Sequence, residues 1–121
     1  MKRESKIRNL LMELGTPCNV MGYEYIKQAV MLILEDNDYK HYVTKRLYPQ
    51  IAKMNKTTSS RVERAIRHAI ELTFDVIRPE TIEKYFGNSI DPLKGKPVNS
   101  LFLATIVEHI RDMELDEMDW N

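Results

Sequence analysis

The 121-residue chain is poor in the residues that build covalent frameworks or special backbone geometry: it has one cysteine, one tryptophan, three phenylalanines and four glycines. The lone Cys18 excludes an internal disulfide and fits a reducing compartment. Preceded by Pro17 and with no histidine near it in sequence, it reads as a small packed residue rather than a nucleophile. No apolar run approaches the length of a membrane span, and the opening MKRESKIRNLLMELG alternates polar and apolar positions at helical spacing instead of offering a secretory core. A cytoplasmic protein with no membrane partner is therefore expected. His41, His68 and His109 have no second ligand at zinc spacing, and the closing ELDEMDWN lacks the glycine and the oxygen spacing of a calcium loop. No glycine-rich phosphate loop, nucleophile elbow or base-nucleophile pairing is present, so neither a cofactor nor an enzymatic activity is expected.

Net charge is also missing, since 18 basic side chains meet 18 acidic ones. The balance is local rather than uniform. Residues 40 to 70 hold eight Lys or Arg (Lys40, Lys45, Arg46, Lys53, Lys56, Arg61, Arg64 and Arg67) against Glu63, a local +7. From Glu108 onward there are six acids and one base, Arg111, a local charge of -5. A basic surface attracts phosphates whatever their sequence, and the attraction weakens steeply with salt. The acidic end would point away from nucleic acid or toward another partner.

Apolar spacing predicts an all-α chain of about six helices. One runs from about Ser5 to Leu14 and stops at Gly15; another covers Tyr23 to Glu35; a third spans Tyr39 to Leu47. Pro49 predicts a boundary and a short helix from about Gln50 to Asn55. A short helix over Thr81 to Phe86, a loop from Gly87 to Pro97 and a closing helix from Ser100 to about Met113 follow, with a frayed acidic tail over 114–121. The closing helix offers Leu101, Phe102, Ala104, Ile106, Val107 and Ile110 to the core, and the tyrosines Tyr23, Tyr25, Tyr39, Tyr42 and Tyr48 are expected to be half buried.

The run TTSSRVERAIRHAIE, Thr57 to Glu71, carries the strongest functional signal. At about 100° per residue, Val62, Ala65, Ile66, Ala69, Ile70 and Thr73 share one arc, and Arg61, Glu63, Arg64, Arg67, His68 and Glu71 share the opposite one. Ser59 or Ser60 is expected to cap the helix, with Glu63 three residues after Ser60 as in a capping box. An ordinary solvated face would mix its charges, whereas three arginines recur here at i, i+3 and i+6, with Glu63 to Arg67 as the one well-spaced ion pair. The guanidinium fork can grip guanine O6 and N7, and a neighbouring glutamate can accept from cytosine N4. The preceding short helix and the polar turn Asn55-Lys-Thr-Thr complete the order of a helix-turn-helix, whose first helix braces the second in the major groove.

These residues also carry a family resemblance. KRLYPQIAKMNKTTSSRVERAIRHAIE, with GTPCNVMGYEYIKQAV upstream and GKPVNSLFLATIVEHI downstream, resembles the C-terminal effector domain of the sporulation stage-zero A response regulators from about Ile7 to Ile110. The resemblance implies an all-helical domain that binds double-stranded DNA at TGTCGAA-like boxes and activates or represses sporulation promoters. It implies that Glu63, Arg64 and Arg67 read bases, with Lys53, Lys56, Ser59, Ser60, Arg61 and His68 nearer the backbone. It further implies a surface for the sigma subunit of RNA polymerase around Thr81, Phe86 and Ile90, with packing the alternative role for each, and a second copy bound head to tail on DNA. Such regulators begin with a phosphoacceptor receiver. Because 121 residues suit one domain, the chain is expected to be an isolated effector half. A second reading stays open at this point: a helical interaction module whose arginine face docks an acidic protein.

Overall fold

Ile7, Leu10, Leu11 and Leu14 recur at helical spacing and all four are buried, so the first helix, α1 (Arg3–Leu14), turns one continuous stripe to the core. Gly15 ends it in the left-handed conformation, φ 91°, where its N–H reaches the carbonyls of Leu11 and Met12 at 3.1 Å each. The computed structural model describes residues 1–119, which form α1, α2 (Met21–Glu35), α3 (Tyr48–Met54), α4 (Ser59–Val76), α5 (Pro79–Phe86) and α6 (Asn99–Asp119), with no strand among them. The all-α expectation holds. None of these helices is long and apolar enough to cross a membrane.

The centre of the domain is the packing of α4 on α2, with α3 and α6 closing the sides. Val62, Ile66, Ala69, Ile70 and Thr73 of α4 are buried against Ile26, Ala29, Val30 and Ile33 of α2 and the apolar stripe of α6. At Gly22 the two helices come so close that a Cβ would stand 2.0 Å from the Ala65 carbonyl oxygen and 2.8 Å from the Ala69 Cβ. Only hydrogen fits there. Thr73, buried in an otherwise apolar seam, donates to the Ala69 carbonyl at 2.7 Å, so its hydroxyl receives the proton of Thr16 at 2.9 Å. Each hydroxyl is thereby satisfied inside the core.

The segment before α3 differs from the helix expected over Tyr39 to Leu47. It is a 3-10 turn at Asn37–Lys40 followed by a π-helical turn at Val43–Leu47, and α3 then begins at Tyr48 with Pro49 in its first turn. A proline within a helix has no N–H to donate and presses its ring on the carbonyl four residues earlier. The widened turn, marked by the Leu47 N–H bonding to the Tyr42 carbonyl at 3.0 Å, relieves both conflicts, so the chain stays helical through Pro49 instead of breaking there. Tyr42 is 50% exposed, while Cys18, expected to pack, is exposed.

The closing helix is likewise longer than expected. Leu103 joins Phe102, Ile106, Val107 and Ile110 in the core, while Leu101 and Ala104 are only half-buried. α6 continues to Asp119, where a frayed tail was expected over 114–121; positions 120 and 121 of that expected tail lie outside the described residues. Ion pairs explain the extension. Arg3 Nε lies 2.8 Å from Glu114 Oε2, and Lys6, only 5% exposed, meets Glu117 at 2.8 Å and Glu114 at 3.7 Å. The acidic end of the chain is thus turned onto α1.

Gly22→Ala is expected to lower stability by about 1 to 3 kcal/mol, since the methyl meets backbone that can yield only by moving α4. An unchanged midpoint in a denaturant titration would refute that constraint. The hydrogen bond from Arg3 holds the Glu114 carboxyl below the ordinary carboxylate range. A group depressed in the folded state adds stability above its unfolded pKa and loses it as pH falls through the folded one. Glu114→Gln should therefore cost between about 0.2 and 1 kcal/mol at neutral pH and flatten the loss of stability below about pH 4.3, as read by thermal unfolding across pH; equal acid sensitivity in both proteins would contradict the assignment.

Candidate nucleic-acid interface

α4 is started by Thr58 rather than by the serines that follow it. The Thr58 hydroxyl accepts from the Arg61 N–H at 3.2 Å, and Ser59 and Ser60 are already the first residues of the helix. Glu63 therefore takes no part in capping. Its carboxylate is bonded to the Arg67 guanidinium one turn on, the pairing that residue spacing predicts. Arg61, Arg64, Arg67, His68 and Ser60 stand exposed along the outer face of α4, and Glu63 and Glu71 are partly covered on the same side. This brings the three expected base-reading residues together on one exposed face.

The brace is built as a helix-turn-helix. α3 leads into a turn at residues 55–58, in which Lys56 is held at φ 53°, a left-handed conformation that costs a side-chain-bearing residue roughly 1 to 2 kcal/mol. Asn55 fixes the turn from behind: its amide donates to the Ile51 carbonyl at 2.7 Å and exchanges two hydrogen bonds with the Gln28 amide, at 2.6 and 3.2 Å. The bidentate amide pair ties the turn to α2, the same helix that fixes the depth of α4. Lys53 and Lys56 project from this unit and are exposed.

A second support comes from the start of α6. The Asn99 amide donates both to the Tyr48 hydroxyl at 3.0 Å and to the Glu63 carbonyl at 3.1 Å, joining α3, α4 and α6 at one side chain. Burial pushes the Tyr48 phenol above its ordinary pKa, so it stays protonated and available as a partner. Gln28, Tyr48 and Asn99 carry the reading helix but were not evident in the sequence. They act through tertiary contacts 27, 51 and 36 residues apart, which no local pattern records.

Charge pairing is uneven on this face: Arg67 is ion-paired with Glu63, and four neighbouring cations are not paired. Among the described residues Lys53, Lys56, Arg61 and Arg64 have no carboxylate within 4.0 Å, whereas Arg3, Lys6, Lys27, Lys84 and Arg111 each have at least one. Arg46, counted in the basic run, proves to be occupied elsewhere: it lies 3.5 Å from Asp36, 4.0 Å from Asp38 and over the Tyr39 ring. No three His, Cys, Asp or Glu side chains among the described residues are grouped to hold a metal ion.

Of the three residues expected at a polymerase-facing surface, Thr81 and Ile90 are half-buried and Phe86 is 5% exposed. The Phe86 ring sits between Phe74, edge-on at 5.5 Å, and Phe102, stacked at 6.1 Å. It packs in the core, the alternative role open for it, because the aromatic cluster covers its ring.

The geometry is that of a braced, cation-rich reading helix, and comparison of the chain with protein families matches residues 7–110 to the model described as "Sporulation initiation factor Spo0A C terminal". The chain belongs to this family. It is a DNA-binding regulatory domain of the sporulation response regulators, and its α3, turn and α4 are the helix-turn-helix of a transcription regulator.

Proposed function

We propose that α4 enters the major groove and reads TGTCGAA-like boxes, with Arg64 and Arg67 on guanine O6 and N7 and Glu63 accepting from a cytosine N4. The observation that carries this reading is Arg64: it is exposed at the middle of the outer face of α4 and, among the described residues, has no carboxylate partner. Lys53, Lys56, Ser59, Ser60, Arg61 and His68 then fix the register on phosphates. Glu63 and Arg67 are bonded to one another off DNA, so binding exchanges their mutual hydrogen bond for base edges. The bound domain activates or represses according to the promoter. A second copy occupies the neighbouring box head to tail, and Thr81 and Ile90, both half-buried, meet the sigma subunit of RNA polymerase.

Arg64→Ala is expected to cost about 1 to 3 kcal/mol on a box-containing duplex and little on unrelated DNA. Equal losses on both would make Arg64 a phosphate contact, and an absence of DNA binding by the parent chain would favour an acidic protein partner for the same face. Glu63→Ala removes a base-selecting acceptor and frees Arg67, so it should relax selectivity more than affinity. A band-shift series with each base of the box varied measures this, and an unchanged base preference rejects the role given to Glu63.

A further inference from the structure

One edge of α4 borders a cleft of about 910 Å³ that the reading helix does not by itself explain. Glu63, Arg67 and Ile70 fall within about 60° of one another around the helix and line that edge, while Ala65, about 160° away from Arg67, faces α2. The far walls are supplied by two separate stretches of chain. Lys40 and Lys45 come from the turns before α3, and Lys94 and Lys96 from the loop before α6. Lys96 Nζ lies 3.3 Å from Glu71 on α4, so the loop reaches toward the outer face of the helix. Gly95, at φ 71°, closes a turn in which the N–H groups of Lys94 and Gly95 both reach the Asp91 carbonyl at 3.0 Å, which holds the two lysines on a defined loop.

The charges of this cleft do not cancel. Glu63 is bonded to Arg67, Lys96 has Glu71, and Lys40, Lys45 and Lys94 have no carboxylate within 4.0 Å among the described residues. Four lysines lining one cleft, three of them with no carboxylate within 4.0 Å among the described residues, match a linear polyanion rather than a protein surface of mixed charge. The major groove is about 12 Å wide and is bounded on each side by a phosphate backbone, so a helix lying in it has a backbone strand along its flank. The cleft is such a flank.

We propose that this cleft receives the phosphodiester backbone of the duplex that α4 reads, with Lys94 and Lys96 on one side of the strand and Lys40 and Lys45 on the other. The proposal rests on α4 lying in the major groove. It extends the phosphate-binding surface beyond the helix-turn-helix to a loop more than 20 residues downstream of Glu71. Off DNA, the Glu71 contact keeps Lys96 near the helix; on DNA, a phosphate oxygen replaces or shares that carboxylate.

The test is the salt dependence of binding, from about 50 to 200 mM, to a box-containing duplex and to a scrambled one. Removing both loop lysines (K94A with K96A) should lower the magnitude of the slope of log affinity against log salt by roughly 1.8, since each phosphate contact contributes about 0.9. Both duplexes should weaken by the same factor, because the backbone carries no sequence. Arginine at both positions (K94R with K96R) should keep the slope. The pair K2A with R8A removes the same charge from α1 and the residue before it, neither of which lines the cleft, and should also keep it. An unchanged slope in the loop variant, or an equal loss in the α1 variant, overturns the proposal. R64A, measured alongside, separates this from failure of the α4 reading: persistence of full box preference in R64A rejects that reading, whereas the slope of the loop variant reports on the cleft alone.

Discussion

The approach of α2 and α4 at Gly22 is the constraint on which the DNA-facing surface depends. A backbone carbonyl of α4 occupies the space where a side chain of α2 would otherwise stand, so the separation of the two helices is fixed by backbone rather than by adjustable side chains. Once that depth is set, the apolar residues of α4 can satisfy α2, α3 and α6 together in only one rotation about the helix axis. The arginines then point outward by exclusion. Gln28, one and a half turns along α2 from Gly22, clamps Asn55 and so refers the helix-turn-helix turn to the same helix. Both halves of the reading unit are therefore positioned against one rigid reference.

Electrostatics divides the molecule along similar lines. The ends of the chain neutralise one another, with Arg3 and Lys6 held by Glu114 and Glu117, and Arg46 is drawn off to Asp36 and Asp38. The cations left without carboxylates around the helix-turn-helix and its flank keep their capacity for phosphate. Glu63 tempers this field, since its bond to Arg67 is a local competitor that any ligand must displace. A phosphate alone gains from releasing Arg67 but is repelled by the liberated Glu63. A ligand offering a base-edge donor to Glu63 as well as an acceptor to Arg67 satisfies both, which favours a base sequence over bare charge.

Much of this was legible in residue spacing. The two arcs of α4, the stop at Gly15 and the stripe of α1 follow from a 3.6-residue period and from the backbone freedom of glycine, both local properties. The turn before α3 was not legible, because a proline signals a conflict without saying how it is resolved; here a π turn absorbs it. The cap at Thr58 lies one or two residues before the expected serines, Ser59 or Ser60, because several adjacent hydroxyls compete for one role. Phe86, left open between packing and contact, and the tail after residue 113, expected to fray, were not settled by local pattern for a shared reason. Their environments are made by partners distant in sequence, an aromatic cluster in one case and α1 in the other. The same limit hid Asn99, whose two acceptors lie on two other helices.

α6 is held at its two ends by unlike attachments. Its first residue is hydrogen-bonded to the backbone of Glu63 and to Tyr48, and its last turns, from Glu114 to Glu117, are ion-paired to α1, about 25 Å further along the helix. A helix of that length packed along the core behaves as a strut: it resists compression and transmits displacement along its axis rather than dissipating it. The acidic end can be released by protonation or by salt, while the amide end cannot. Loosening one end would therefore leave the strut pivoting about Asn99, beside Glu63, so the first helix of the domain and the outer edge of α4 are mechanically in series.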